Sequence, residues 1–136
     1  MRANRSIPRS TVIPELPYPD VVAATKWLCD VFGFTVRLRI ADHRLQLHVG
    51  DGAGVVIELP QGQPPGMSSV LVRVDDVKAH HTRAQEHGAR IDRPPADCPF
   101  GERQYSVVDL AGHRWTFSQT IADVDPKDWG GEPVAL

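Results

Sequence analysis

One pattern occurs twice in this chain of 136 residues, and it limits the fold more than any other feature. Asp20 stands thirteen residues before Gly33, and Asp75 stands thirteen before Gly88. A carboxylate that can accept the free N–H groups of a first turn, and a glycine that can turn left-handed, are the start and stop signals of a helix. Each interval carries helical periodicity, and each is flanked by runs that alternate apolar and polar residues. The chain therefore reads as two strand-helix-strand-strand-strand modules. Two helices against about eight strands predict an α+β fold, an antiparallel or mixed sheet covered by helices on one side.

In order, Met1 to Arg9 reads as a loose leader. Thr11 to Leu16 is a short strand, and Pro14, which lacks the ladder N–H, marks it as an edge strand or one with an exposed N–H side. Asp20 caps a helix from Val21 to Phe32 with Ala24, Trp27 or Leu28, and Val31 on its buried stripe. Strands follow at Phe34 to Ile40, Arg44 to Val49 and Val55 to Leu59, with an Asp51-Gly52 turn. Pro60 to Met67 is a connector. The second module runs through a strand at Ser68 to Val74, a helix capped by Asp75 or Asp76 and ending near His87, and a strand at Ala89 to Asp92. A Pro-rich loop from Arg93 to Arg103 leads to a strand at Gln104 to Val108, then the Asp109 turn and a last strand through Gln119. The expected organisation is a flexible leader at 1–9, one domain at 10–119 with modules at 10–60 and 67–119, and a tail at 120–136.

In the last strand Trp115 and Phe117 fall on one side and Arg114, Thr116 and Ser118 on the other, so the two aromatics are assigned to the core. Carried across the strands, this parity predicts a polar side of Arg37, Arg39, Arg44, Gln46, His48, Glu58, Arg73, Arg114, Thr116 and Ser118. That side is either simply solvated, or the modules curl toward each other and enclose a ligand cleft. Periodicity leaves both open.

Composition excludes several classes. With 15 Lys+Arg against 17 Asp+Glu, a net charge of −2 argues against nucleic-acid binding. No apolar stretch is long enough for a membrane span, and the first ten residues lack the apolar middle of a secretory signal, so the default location is cytoplasmic. Cys29 and Cys98 form no Cys-x-x-Cys pair and are expected to be free thiols, Cys29 partly buried. His80, His81 and His87 have no three- or four-residue spacing to one another and build no helical metal site. No catalytic triad, phosphate loop or nucleotide fingerprint is present.

Pro19-Asp20-Val21, Phe32-Gly33-Phe34, Val74-Asp75-Asp76-Val77, Gly88-Ala89-Arg90-Ile91, Gly101-Glu102-Arg103-Gln104-Tyr105 and Asp109-Leu110-Ala111-Gly112-His113-Arg114-Trp115 together resemble the vicinal oxygen chelate superfamily. That group contains glyoxalases, extradiol dioxygenases, fosfomycin resistance enzymes and bleomycin resistance proteins. The resemblance extends from Thr11 to Gln119 and implies paired βαβββ modules, a cupped sheet with helices outside, and a homodimer. In the enzymes of the group a divalent metal sits in the cup, held from the first and last strands of each module. Those positions fall here on Pro14, Glu58, Ser69 and Thr116, of which only Glu58 binds such an ion well.

No metal, cofactor or catalytic residue is therefore expected. Glu58 has two readings, a salt bridge to Arg44, Arg73 or Arg114, or a group that orients a ligand. The candidate ligand-binding residues are Arg44, Gln46, His48, Glu58, Arg73, Phe100, Arg103, Tyr105, Arg114, Thr116 and Ser118, with Trp129 available as a second planar contact. The expected function is sequestration of a small aromatic or peptide-like molecule, such as an antibiotic. The alternative is a glyoxalase-like lyase, isomerase or dioxygenase, or a metal-independent enzyme using Glu58 or His48.

Overall fold

The computed structural model describes residues 2–134. The first start signal acts as the repeat predicts, and the second is displaced by one residue. Asp20 caps α1 (Val21–Phe32) by accepting from the Ala23 N–H at 3.0 Å, and Gly33 ends it at φ 77°. In the second module Asp76 rather than Asp75 is the cap, accepting from the Ala79 N–H at 3.0 Å at the start of α2 (Val77–Glu86). Gly88 follows at φ 72°.

Two mixed sheets of four strands carry the helices. The first holds β1 (Glu15–Tyr18), β2 (Thr35–Ile40), β3 (Arg44–Val49) and β4 (Gly52–Glu58) in the order β1-β4-β3-β2. The second holds β5 (Ser69–Arg73), β6 (Arg90–Asp97), β7 (Glu102–Val108) and β8 (Arg114–Thr120) in the order β5-β8-β7-β6. In each, the first strand runs parallel to the last and the remaining pairs are antiparallel. The duplicated sequence has become duplicated topology.

The chain divides into two compact units, one running through Ser68 and including Asp109–His113, the other holding Ser69–Val108 and the chain from Arg114 onward. The β7–β8 turn therefore belongs to the first unit although both its strands belong to the second. In the first unit α1 buries Val21, Ala24, Leu28 and Val31 within a core that includes Leu16, Tyr18, Leu45, Leu47 and Val56. Leu28 rather than Trp27 lies on the stripe; Trp27 stands half-buried, edge-on to Phe32 at 5.2 Å. In the second unit α2 buries only Val77 and Ala84, and Tyr105, Trp115 and Phe117 supply the bulk. Each such aromatic removes roughly 150–250 Å² from water, enough at about 25 cal/mol per Å² to compensate for a weakly apolar helix.

Four strands depart from the sequence reading. β1 starts at Glu15, not Thr11, because Leu16 and Tyr18 are the residues that reach the core. β2 does not alternate cleanly: its register shifts between Val36 and Leu38, leaving Val36 and Ile40 exposed where the pattern puts them inside. β4 starts at Gly52 rather than Val55. β6 continues through Asp97 where a loop is expected; as an edge strand with two register shifts it tolerates Pro94 and Pro95.

The tail is held through one glycine. The Ile121 and Ala122 N–H groups donate to the Gly101 carbonyl at 2.8 and 3.2 Å, and Gly101 has φ 83°. A Cβ there would lie 2.3 Å from the Ala122 carbonyl oxygen. Beyond it a 3-10 turn, Pro126–Trp129, brings Trp129 to 5.3 Å from Phe100. Among the described residues no helix is long and apolar enough to cross a membrane.

Candidate functional site

Each sheet has one side under its helix and one open side, and strand pairing decides which residue faces where. In the first sheet Leu45 pairs with Val56 and Val56 with Leu16, all buried on the helix side. Their neighbours therefore face the other way: Gln46 pairs with Val55 and Val55 with Glu15, while Arg44 pairs with Ile57. Arg44, Gln46 and His48 share the open side as expected.

Glu58 does not. It pairs with Tyr18, whose ring is fully buried, so it has the parity of the helix side and is exposed at the strand's end. The sequence reading sets Glu58 opposite Ile57 correctly but takes Ile57 as core, which reverses the strand. The carboxylate on the open side is Glu15, and it pairs with Arg44 at 2.8 Å. Among the described residues Glu58 has no ion pair.

The leader lies against the first sheet. Arg37 Nη2 donates to the carbonyls of Arg5 at 3.0 Å and Ile7 at 3.1 Å, and Arg37 Nη1 donates to Gln46 Oε1. Gln46 Nε2 donates to the Ser6 carbonyl at 2.9 Å, and this side chain, expected to contact ligand, is 5% exposed beneath the segment. Pro8 is buried and borders three cavities, two of them against the sheet. One, of about 260 Å³, has apolar walls from Ile7, Ile13, Ile40 and Val55 with Glu15, Arg44 and Gln46 as its polar groups. The other, about 280 Å³, is lined by Arg37, His48, Asp51 and Ala53 with Arg9 and Ser10.

In the second sheet Val70 and Val107 pair with Trp115, and Tyr105 and Val72 with Phe117, which fixes the helix side. Arg73, Arg114, Thr116 and Ser118 lie on the open side, together with Glu102, Gln104 and Ser106, which the sequence reading leaves out. They bond among themselves. Gln104 Nε2 donates to Ser118 Oγ at 3.1 Å, and Ser118 Oγ donates to Glu102 at 2.7 Å. Thr116 and Ser106 share a hydrogen bond of 3.0 Å, Arg114 pairs with Asp92 at 3.3 Å, and Arg73 reaches Thr120 Oγ1 at 3.3 Å. Hydroxyl donors from Thr120 and Ser118, with the Arg73 charge nearby, hold the Glu102 carboxyl below its ordinary range despite some opposing burial.

Two expected ligand contacts face the helix instead. Tyr105 is fully buried, stacked on Phe117 with ring centroids 5.4 Å apart, and its hydroxyl bonds His80 Nδ1. Burial raises the phenol's pKa, so it stays protonated. Arg103 shares that parity and pairs with Asp97 at 2.7 Å across the β6–β7 ladder. The signal was present in the alternation Gln104, Tyr105, Ser106, Val107, which places Tyr105 with Val107 rather than with Ser106. Phe100 is half-buried against Trp129 of its own chain.

A divalent metal does not fit these donors. Pro14 offers no side-chain ligand, Thr116 is bonded to Ser106, and Glu58 has the parity of the helix side. Among the described residues no three His, Cys, Asp or Glu side chains come together as a metal site. Cys29 and Cys98 are free thiols, both half-buried.

Comparison with known proteins agrees with this architecture. The family model described as the Glyoxalase/Bleomycin resistance protein/Dioxygenase superfamily matches residues 11–117. TioX from Micromonospora sp. ML1 is 34% identical over 85% of this chain and 100% of its own, with a TM-score of 0.71. A bleomycin resistance determinant encoded on transposon Tn5 is 22% identical over 83% of this chain and 99% of its own (TM-score 0.69). Lactoylglutathione lyase from Agrobacterium tumefaciens is 19% identical over 90% and 98% (TM-score 0.67). The last two share the fold. No curated protein sequence gives a match. The chain belongs to the glyoxalase/bleomycin resistance protein/dioxygenase superfamily, the vicinal oxygen chelate group that its duplicated motifs resemble.

Proposed function

We propose that this protein binds a small aromatic or peptide-like molecule, of the kind represented by peptide antibiotics, and sequesters it unchanged. The observation that carries the reading is the cavity of about 260 Å³ on the open side of the first sheet, where apolar walls from Ile13, Ile40 and Val55 surround a few directing groups, Arg44, Gln46 and Glu15. A binder needs a concave apolar site with a small number of placed polar groups. An enzyme needs in addition a nucleophile or base oriented by a third group, and Gln46, Glu102, Gln104, Ser106, Thr116 and Ser118 on the open faces are instead bonded to each other or to backbone. The fold shared with a bleomycin resistance determinant supports the same ligand class.

The test is a thermal-shift screen against bleomycin, other aromatic and peptide antibiotics and glutathione adducts, with mass spectrometry of each hit after incubation. A ligand that binds the native state alone raises the melting temperature by mass action. A saturable shift with the ligand's mass unchanged supports sequestration, and conversion of the hit establishes an enzyme instead, with His48 in the second cavity the first residue to replace. The protein is further proposed to be a cytoplasmic homodimer, since each sheet has open strand edges. Light scattering should then give about twice the 15.0 kDa of one chain.

A further inference from the structure

Arg37 and Gln46 hold residues 4–8 as a binding site holds a ligand. The Asn4 side chain accepts from the Ser6 N–H at 3.0 Å, closing the segment into a turn. The turn sends three successive carbonyls to the same place: those of Arg5 and Ile7 accept from Arg37 at 3.0 and 3.1 Å, and that of Ser6 accepts from Gln46 at 2.9 Å. An extended strand presents successive carbonyls to opposite sides and cannot make this set. The receptor side is built to give. A guanidinium only donates, so its bond to Gln46 fixes the amide with oxygen toward Arg37 and leaves the NH₂ for the incoming carbonyl. The side chain of Ile7 remains half-exposed and Arg5 is exposed, so the contacts read backbone rather than side-chain identity.

We infer that Arg37 and Gln46 form a reader of turn-shaped peptide backbone, and that residues 4–8 are its occupant in cis, which a peptide ligand with three convergent carbonyls displaces. The inference rests on the reading of this face as a binding site and adds the ligand class and the competitor. Pro8 is the anchor, the one buried residue of the segment, and it lines the cavities on this face. Because the occupant is tethered, its effective concentration is high, and a free ligand sees only the fraction of molecules in which the site is open.

Two measurements on the full chain test this. Trypsin should cut after Arg5 and Arg9 at least about tenfold faster in Arg37→Ala than in the wild type, since one charge-assisted hydrogen bond represents about that factor and the change removes two; an unchanged rate overturns the docked segment. A fluorescent, acetylated and amidated peptide of residues 4–9 should bind Pro8→Asp, in which a carboxylate cannot take the buried seat, at least tenfold tighter than wild type. Adding Arg37→Ala should abolish that binding. Equal affinity for wild type and Pro8→Asp, or binding indifferent to Arg37, overturns the reader. A peptide antibiotic that binds wild type and Pro8→Asp equally leaves sequestration standing and removes the segment as competitor. Peptide binding as expected with no antibiotic hit does the reverse.

Discussion

Replacing Asp109 by alanine should be among the most damaging single changes outside the aliphatic core. Asp109 is 6% exposed, and its carboxylate accepts from the Tyr18 hydroxyl at 2.6 Å and from the N–H groups of Ala111 and His113 at 3.0 Å each. Tyr18 is fully buried and His113 is 1% exposed, so water cannot easily replace the lost acceptor for either. Removing the acceptor of several buried hydrogen bonds costs about 1–3 kcal/mol for each, so the loss of the bonds from Tyr18 and His113 predicts about 4 kcal/mol. At roughly 3–5 °C per kcal/mol for a domain of this size, the melting temperature should fall by about 15 °C. Asp109→Asn keeps an acceptor for the two amides and should cost about 1–2 kcal/mol. Tyr18→Phe gives the internal control. In the wild-type background it removes the hydroxyl bonded to Asp109 and destabilises; in Asp109→Ala that bond is already gone, so the same change should cost clearly less. Urea denaturation followed by circular dichroism at fixed protein concentration measures the wild type and all four variants. A cost below about 1 kcal/mol for Asp109→Ala, or equal effects of Tyr18→Phe in both backgrounds, would refute the argument.

Gly101→Ala should cost about 2 kcal/mol or more, from a left-handed residue given a Cβ that meets the Ala122 carbonyl oxygen at 2.3 Å; it should free the tail, read as a shift in Trp129 fluorescence. Glu102→Gln tests the network on the second open face. Because the folded pKa of Glu102 is depressed, its contribution is present above the unfolded value of about 4.3 and is lost as pH falls through the lower folded value. The stability gap between wild type and Glu102→Gln should therefore narrow on acidification below about pH 4.5, and a gap that widens there would contradict the assignment. Tyr105→Phe should cost about 1 kcal/mol by removing the bond to His80 and leave ligand affinity unchanged, whereas a loss of affinity would return Tyr105 to the site.

The fold was legible because its signals are local. Asp20, Gly33, Asp76 and Gly88 act within one helical turn of themselves, where a carboxylate meets an amide or a backbone turns left-handed, and such chemistry needs no distant partner. Strand existence followed in the same way from alternation. What alternation cannot supply is which of two faces meets the helix when a strand is apolar on both, as β4 is at Val55, Val56 and Ile57. There the sequence reading of Glu58 inverted, and only the pairing of Val56 with Leu45 and Leu16 decided it. The bulge at β2 and the Pro-containing edge of β6 were hidden for a related reason, since an irregular ladder is fixed by its partner strand. Least visible was the leader. Nothing in Asn4-Arg5-Ser6-Ile7-Pro8 announces a docked segment, because its hold comes from Arg37 and Gln46, about thirty and forty residues away, and hydrogen bonds to backbone carbonyls leave no mark in the sequence that supplies them.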